Sequence, residues 1–144
     1  MNTTNKILEL ADSKLKESEC LYKNGFYDSA YYLAGYSVEL LIKARICKTL
    51  KIENFYDFGN RDKFVGEDNI TKPYKVHNFE QLFVLSGIYN EFIKQLDNKD
   101  FSKYWMFLKE WKEDVRYASG KQAEEVNKFI ICVKNFTIWM QQYL

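Results

Sequence analysis

A single proline in 144 residues, Pro73, is the feature that most constrains what this chain can fold into. Proline breaks helix interiors, and turn-rich β folds need frequent Gly and Pro punctuation. One proline and six glycines leave long uninterrupted helices open and argue against collagen-like, linker-like and all-β designs. The order of apolar residues agrees. Ile7, Leu8, Ala11, Leu15, Ser18, Leu21 and Tyr22 recur at steps of three and four, which predicts a helix from about Thr3 to Asn24. Thr3 or Thr4 is the expected N-cap, and Asn24-Gly25 the stop.

A second, longer helix is expected from Tyr27 to Leu50. Ala30, Ala34, Ser37, Leu41 and Ala44, with Gly35 alongside, give it a small-residue face that lets a neighbouring helix approach closely. Residues 51 to 76 then lose the periodicity and read as one long irregular connection. Further helices are expected over Asn78–Ser86, in a turn or two after Gly87, from a cap at Asp100 or Ser102 through Val115, and from Gln122 to Tyr143. The segment Ala118-Ser119-Gly120 ends the penultimate helix. The last helix carries two apolar stripes, one of Val126, Ile130, Val133, Phe136 and Met140, the other of Phe129, Cys132, Trp139 and Tyr143. The expectation is a single all-α domain over 1–144, an up-and-down bundle of four to five helices. The second stripe of the last helix suggests a homodimer.

Composition narrows the function classes. Lys and Arg number 21 against 20 Asp and Glu, a net charge of +1, so bulk charge does not coat nucleic acid here, although a local basic patch can. Three cysteines, Cys20, Cys47 and Cys132, form no C-x-x-C pair, and with His77 as the only histidine a zinc site is a poor fit. All three cysteines read as small buried hydrophobes, and no metal or cofactor is expected. The N-terminus lacks a signal peptide's apolar core, and no window approaches the roughly 20 apolar residues of a membrane span. These features fit a soluble protein of the reducing cytoplasm, with no membrane role.

Candidate site residues come from two places. Glu39 and Lys43 stand four apart, the spacing of a helical ion pair, in the most apolar stretch of the chain, so a partly buried pair with a structural or ligand-holding role is expected. Arg116 and Tyr117 lie where the penultimate helix gives out. Arginine there either offsets the helix dipole or grips phosphate, with Tyr117 offering a stacking ring. His77 is read as a cap or packing residue, or as a proton-transfer group.

The stretch Gly25-Phe-Tyr27-Asp-Ser-Ala30, continuing through Glu39-x-x-x-Lys43-Ala44, resembles the second helix of HEPN domains, the higher eukaryote and prokaryote nucleotide-binding domains. His77-Asn78-Phe79 with Leu82 is similar to the family's His-Asp/Asn-Leu segment, and Arg116-Tyr117 to its Arg-Tyr pair before the last helix. Order and interval fit from about residue 5 to 143. The resemblance implies a helical bundle that pairs as a homodimer and associates with RNA or a nucleotide. It also implies toxin–antitoxin, defence or stress systems, often beside a separately encoded nucleotidyltransferase. The family's ribonuclease branch places His four to six residues after an Arg; neither Arg116 nor Arg45 is followed by one here. The expected function is therefore nucleotide, RNA or protein binding, with Arg116, Tyr117, Lys43, Glu39 and His77 as the candidate binding residues and none as catalytic. A ribonuclease using Arg116, Tyr117 and His77, and a pure scaffold, are the alternatives.

Overall fold

In a computed structural model of the chain, residues 3–52, 77–117 and 119–144 are described, side chains of 3–5 and 116 excepted. The described residues are all helical or connecting, with no strand among them. Among the described residues six α-helices run in order: α1 (Thr3–Lys23), α2 (Tyr27–Leu50), α3 (Phe79–Ser86), α4 (Tyr89–Gln95), α5 (Lys99–Leu108) and α6 (Ala123–Met140). Short 3-10 turns occupy Glu113–Tyr117 and Gln141–Tyr143. The expected helical bundle is what forms. The Thr3 and Thr4 side chains expected to cap α1, and residues 53–76 of the long connection, lie outside the described residues.

The first helix stops at the Asn-Gly pair that its sequence places there. Gly25 adopts φ +83°, a left-handed geometry that costs glycine little, and the Phe26 amide turns back to the Leu21 carbonyl. The chain then reverses into α2, which is buried along nearly its whole length, as a helix that is apolar on every side must be. Small residues set how closely α1 approaches it. Ala30 and Ala34 are fully buried, and two serine hydroxyls donate across the seam, Ser18 to the Ala30 carbonyl at 2.6 Å and Ser37 to the Ala11 carbonyl at 2.8 Å. Each buried hydroxyl therefore has its partner.

On the other side of α2 lies an aromatic core. The Phe83 ring stacks on Phe92 with centroids 4.2 Å apart, and Trp105, Phe101, Phe136 and Trp139 close around them. Both stripes of α6 face this interior: Val126, Ile130, Val133, Phe136, Met140, Phe129 and Cys132 are buried and Trp139 and Tyr143 are packed against the core. The second stripe is thus covered within the chain and does not itself call for a second copy. Ile131 and Ile138 are what α6 leaves exposed.

Three details depart from expectation. The cap of α5 is Asn98, whose side chain accepts the Phe101 amide at 3.0 Å, rather than Asp100 or Ser102. That helix also ends at Leu108, so Trp111 and Val115 do not share a helical face, and Arg116 sits in a 3-10 turn instead of closing an α-helix. Beyond the end of α5 Trp111 packs against Gly35 of α2. Finally, Cys47 and Cys132 are buried but Cys20 is exposed on α1.

Candidate functional site

The site grows from one carboxylate in the wrong solvent. Glu39 lies midway along α2, only 1 % exposed, between Val38 and Leu40, themselves buried. An ionised carboxylate in such surroundings needs charged or hydrogen-bonding partners, and two supply them. One turn on, the Lys43 ammonium donates to Glu39 Oε1 at 2.7 Å. From just before α3, His77 Nδ1 lies 2.9 Å and 3.0 Å from the two Glu39 oxygens. The ring's far nitrogen, Nε2, is 3.0 Å from Glu113 Oε2, in the 3-10 turn. Each ring nitrogen of His77 thus faces a carboxylate.

The bridge from Glu39 through His77 to Glu113 therefore ties together three parts of the chain that are distant in sequence. Local structure sets each participant. Asn78, next to His77, caps α3 by accepting the Gln81 amide at 2.9 Å, which fixes where the histidine leaves the backbone. Glu113 is placed by Trp111. The indole lies flat against Gly35, where a β-carbon would collide with its Cδ1, Nε1 and Cε2 atoms. It stacks on Phe79, with centroids 5.3 Å apart and planes within 2°, and on Tyr32 at 5.9 Å. The indole Nε1, buried in this contact, has no hydrogen-bond partner among the described residues. Further along, the Asp28 carboxylate accepts the Gly120 and Lys121 amides at 3.3 Å and 2.9 Å. The chain is consequently held at Trp111 and Glu113, and again at Gly120 and Lys121.

Beside the bridge is an open groove of about 320 Å³ lined by His77, Asn78, Phe79, Glu80, Trp105, Lys109, Trp111, Lys112 and Glu113. Its base is aromatic and largely buried, while Lys109 and Lys112 at its edge are exposed. A second pocket of about 300 Å³ lies by α6, where the Lys121 ammonium sits 4.2 Å from the centroid of the Tyr31 ring. Burial, then the Glu110 and Glu125 carboxylates, push the Tyr31 hydroxyl up to about 12.

Of the five residues singled out in the sequence, the structure gathers Glu39, Lys43 and His77 into one cluster. Tyr117, 79 % exposed, lies at the end of the turn that carries Glu113. Arg116 belongs to the same turn; its side chain lies outside the described residues. Sequence reasoning missed Glu113, Asp28, Lys109 and Lys112. Glu113 and the two lysines carried a faint signal in the run Lys109-Glu-Trp-Lys-Glu113, but Asp28 looked like an ordinary first-turn acid. Among the described residues no three His, Cys, Asp or Glu side chains gather in a way that could hold a metal ion, and no helix is long and apolar enough to cross a membrane.

Residues 4–54 match the family model of the HEPN domain. The matched span takes in α1, α2, Glu39 and Lys43, and ends before His77. Neither the curated proteins nor the solved structures yield a match.

Proposed function

On a chain whose first two helices match the HEPN domain, we propose that the groove beside His77 binds a phosphate-bearing ligand, a nucleotide or RNA. One observation carries this: a single groove combines an imidazole, two exposed lysines and an aromatic base. Cations of this kind grip phosphate oxygens, and aromatic side chains in such grooves offer apolar surface to a base. Binding without RNA cleavage is favoured, because both nitrogens of His77, the only histidine, are already engaged by carboxylates. The resemblance also supports a two-component setting of the toxin–antitoxin or defence type, with a separately encoded nucleotidyltransferase as protein partner and a homodimer as the binding unit.

Fluorescence anisotropy with labelled ATP and a labelled single-stranded RNA tests the ligand class. Lys109→Glu/Lys112→Glu is expected to weaken binding by about tenfold or more, equivalent to about 1.4 kcal/mol, with the helical signal unchanged. Arg116→Lys is expected to weaken it by about 1–3 kcal/mol, since lysine cannot reproduce a two-pronged guanidinium contact. Gel analysis of the same RNA is expected to show no cleavage. Wild-type affinity in the double-lysine variant would rule out this groove.

A further inference from the structure

We infer that the second pocket, beside Tyr31, receives a guanidinium: the arginine side chain of a protein partner. This pocket of about 300 Å³ lies between the last turn of α5 and the first turns of α6. Its aromatic surface comes from Tyr31, Phe107 and Phe129. Tyr31 and Phe129 are buried with ring centroids 4.3 Å apart, while Phe107 is 46 % exposed. The charged surface is mostly carboxylate, with Glu110, Glu124 and Glu125 set against Lys121 and Lys128.

Two features of the pocket call for a cation. Tyr31 is 5 % exposed, yet among the described residues its hydroxyl makes no hydrogen bond; its contacts are the Phe129 ring and the Lys121 ammonium over its own ring. A buried hydroxyl left without a partner is costly, and a donor entering the pocket supplies one. Burial, then the charges of Glu110 and Glu125, hold this hydroxyl in its protonated form, so carboxylates set the field around its oxygen. The second feature is that Glu110 and Glu124 are exposed and neither has an ion-pair partner among the described residues. Lys121 does not serve them, because Asp28 holds its amide and its ammonium lies 3.7 Å from Glu125. What Lys121 does show is that the aromatic surface accepts a cation, 4.2 Å from a ring centroid. A guanidinium suits all of this. Its plane lies against an aromatic ring while its N–H groups donate to a hydroxyl oxygen and to carboxylates together, which a compact ammonium does less well. A phosphate in the same place would meet three carboxylates.

Amide chemical shifts of the protein are followed as capped tripeptides are added, each with one test residue between two glycines: arginine, its neutral isostere citrulline, or lysine. The arginine peptide is expected to move the amides of residues 31 and 121–129 while those of 77–80 stay still, which separates this pocket from the phosphate groove. Citrulline in place of arginine is expected to weaken binding by about tenfold or more, and lysine by about threefold. The sign of each charge provides the control. Glu110→Gln and Glu124→Gln, both at exposed positions, are each expected to weaken the arginine peptide by about three- to fivefold, and Lys128→Gln to tighten it by about twofold. Tyr31→Phe keeps the ring and removes only the hydroxyl, with a loss of about threefold expected. The inference is overturned if the arginine peptide moves no amide in 121–129, if the citrulline peptide binds equally well, or if both glutamate variants bind like the wild type. A short single-stranded RNA that moves these amides where the arginine peptide does not would also overturn it, making the pocket an anion site. Failure here leaves the groove at His77 standing, since that site is read from residues 77–80.

Discussion

At the scale of single residues, the most consequential side chain is Glu39. Its sequence neighbours already marked it as a charge in apolar company, and the spacing to Lys43 named one partner. The second partner, His77, lies 38 positions away and has no local pattern pointing to α2. Removing the carboxylate by Glu39→Ala leaves the buried Lys43 ammonium without its acceptor and strips His77 Nδ1 of its partner. We expect a loss of about 3 kcal/mol in urea unfolding, far more than an exposed pair contributes. An unchanged midpoint would mean that the pair is solvated. Gly35 is the second such position. Its place beside a small-residue face was legible from spacing, but nothing local says that an indole presses on it. In Gly35→Ala the gain in helix propensity opposes a collision with buried Trp111, and overpacking of this kind costs about 1–3 kcal/mol. A lowered melting temperature with Trp111 displaced from Phe79, seen as a shift in tryptophan emission, is the expected result.

Between elements, what matters is how the link from α5 to α6 is held. Helix α5 looked longer in sequence because Trp105, Leu108, Trp111 and Val115 keep a helical rhythm. The helix nevertheless ends at Leu108, and Trp111 packs against Gly35 from the segment that follows. Asp28 then secures the far end of the link. In Asp28→Ala the Gly120 and Lys121 amides lose their acceptor, and their hydrogen exchange is expected to quicken while amides in the middle of α2 keep their protection. Equal acceleration throughout α2 would mean that Asp28 supports the helix rather than the link. Between α2 and α6, Tyr31 provides a titration. Its hydroxyl is raised from 10.0 to about 12, so the neutral form is the one the folded state favours. A raised acid contributes stability that is present below its unfolded value and lost as pH climbs through the folded one. Cys47, pushed up by burial to about 11, acts in the same direction. The urea midpoint is therefore expected to hold to about pH 9 and to fall between roughly pH 9 and 12. A flat profile across that range would contradict the burial of both groups.

For the molecule as a whole, the helical bundle was legible because period and punctuation agree over α1, α2, α3 and α6. The site was legible only in part. Residues on one helix announce each other by spacing, whereas a groove assembled from α3, α5 and a 3-10 turn depends on which elements meet, and that is decided by packing. The homodimer expectation now leans on the exposed Ile131 and Ile138 instead of the second stripe of α6, which the chain covers itself. Light scattering at micromolar concentration is expected to give twice the mass of the 17.2 kDa chain, and a monomer would remove that expectation. The most direct measurement concerns where a phosphate-bearing ligand sits. Amide chemical shifts of the wild-type protein are followed as ATP or a short single-stranded RNA is added. We expect the changes to concentrate on residues 77–80 and 109–113, around the groove. Changes centred instead on Lys121 and Lys128, or none at saturating ligand, would contradict the assignment of this groove as the binding site.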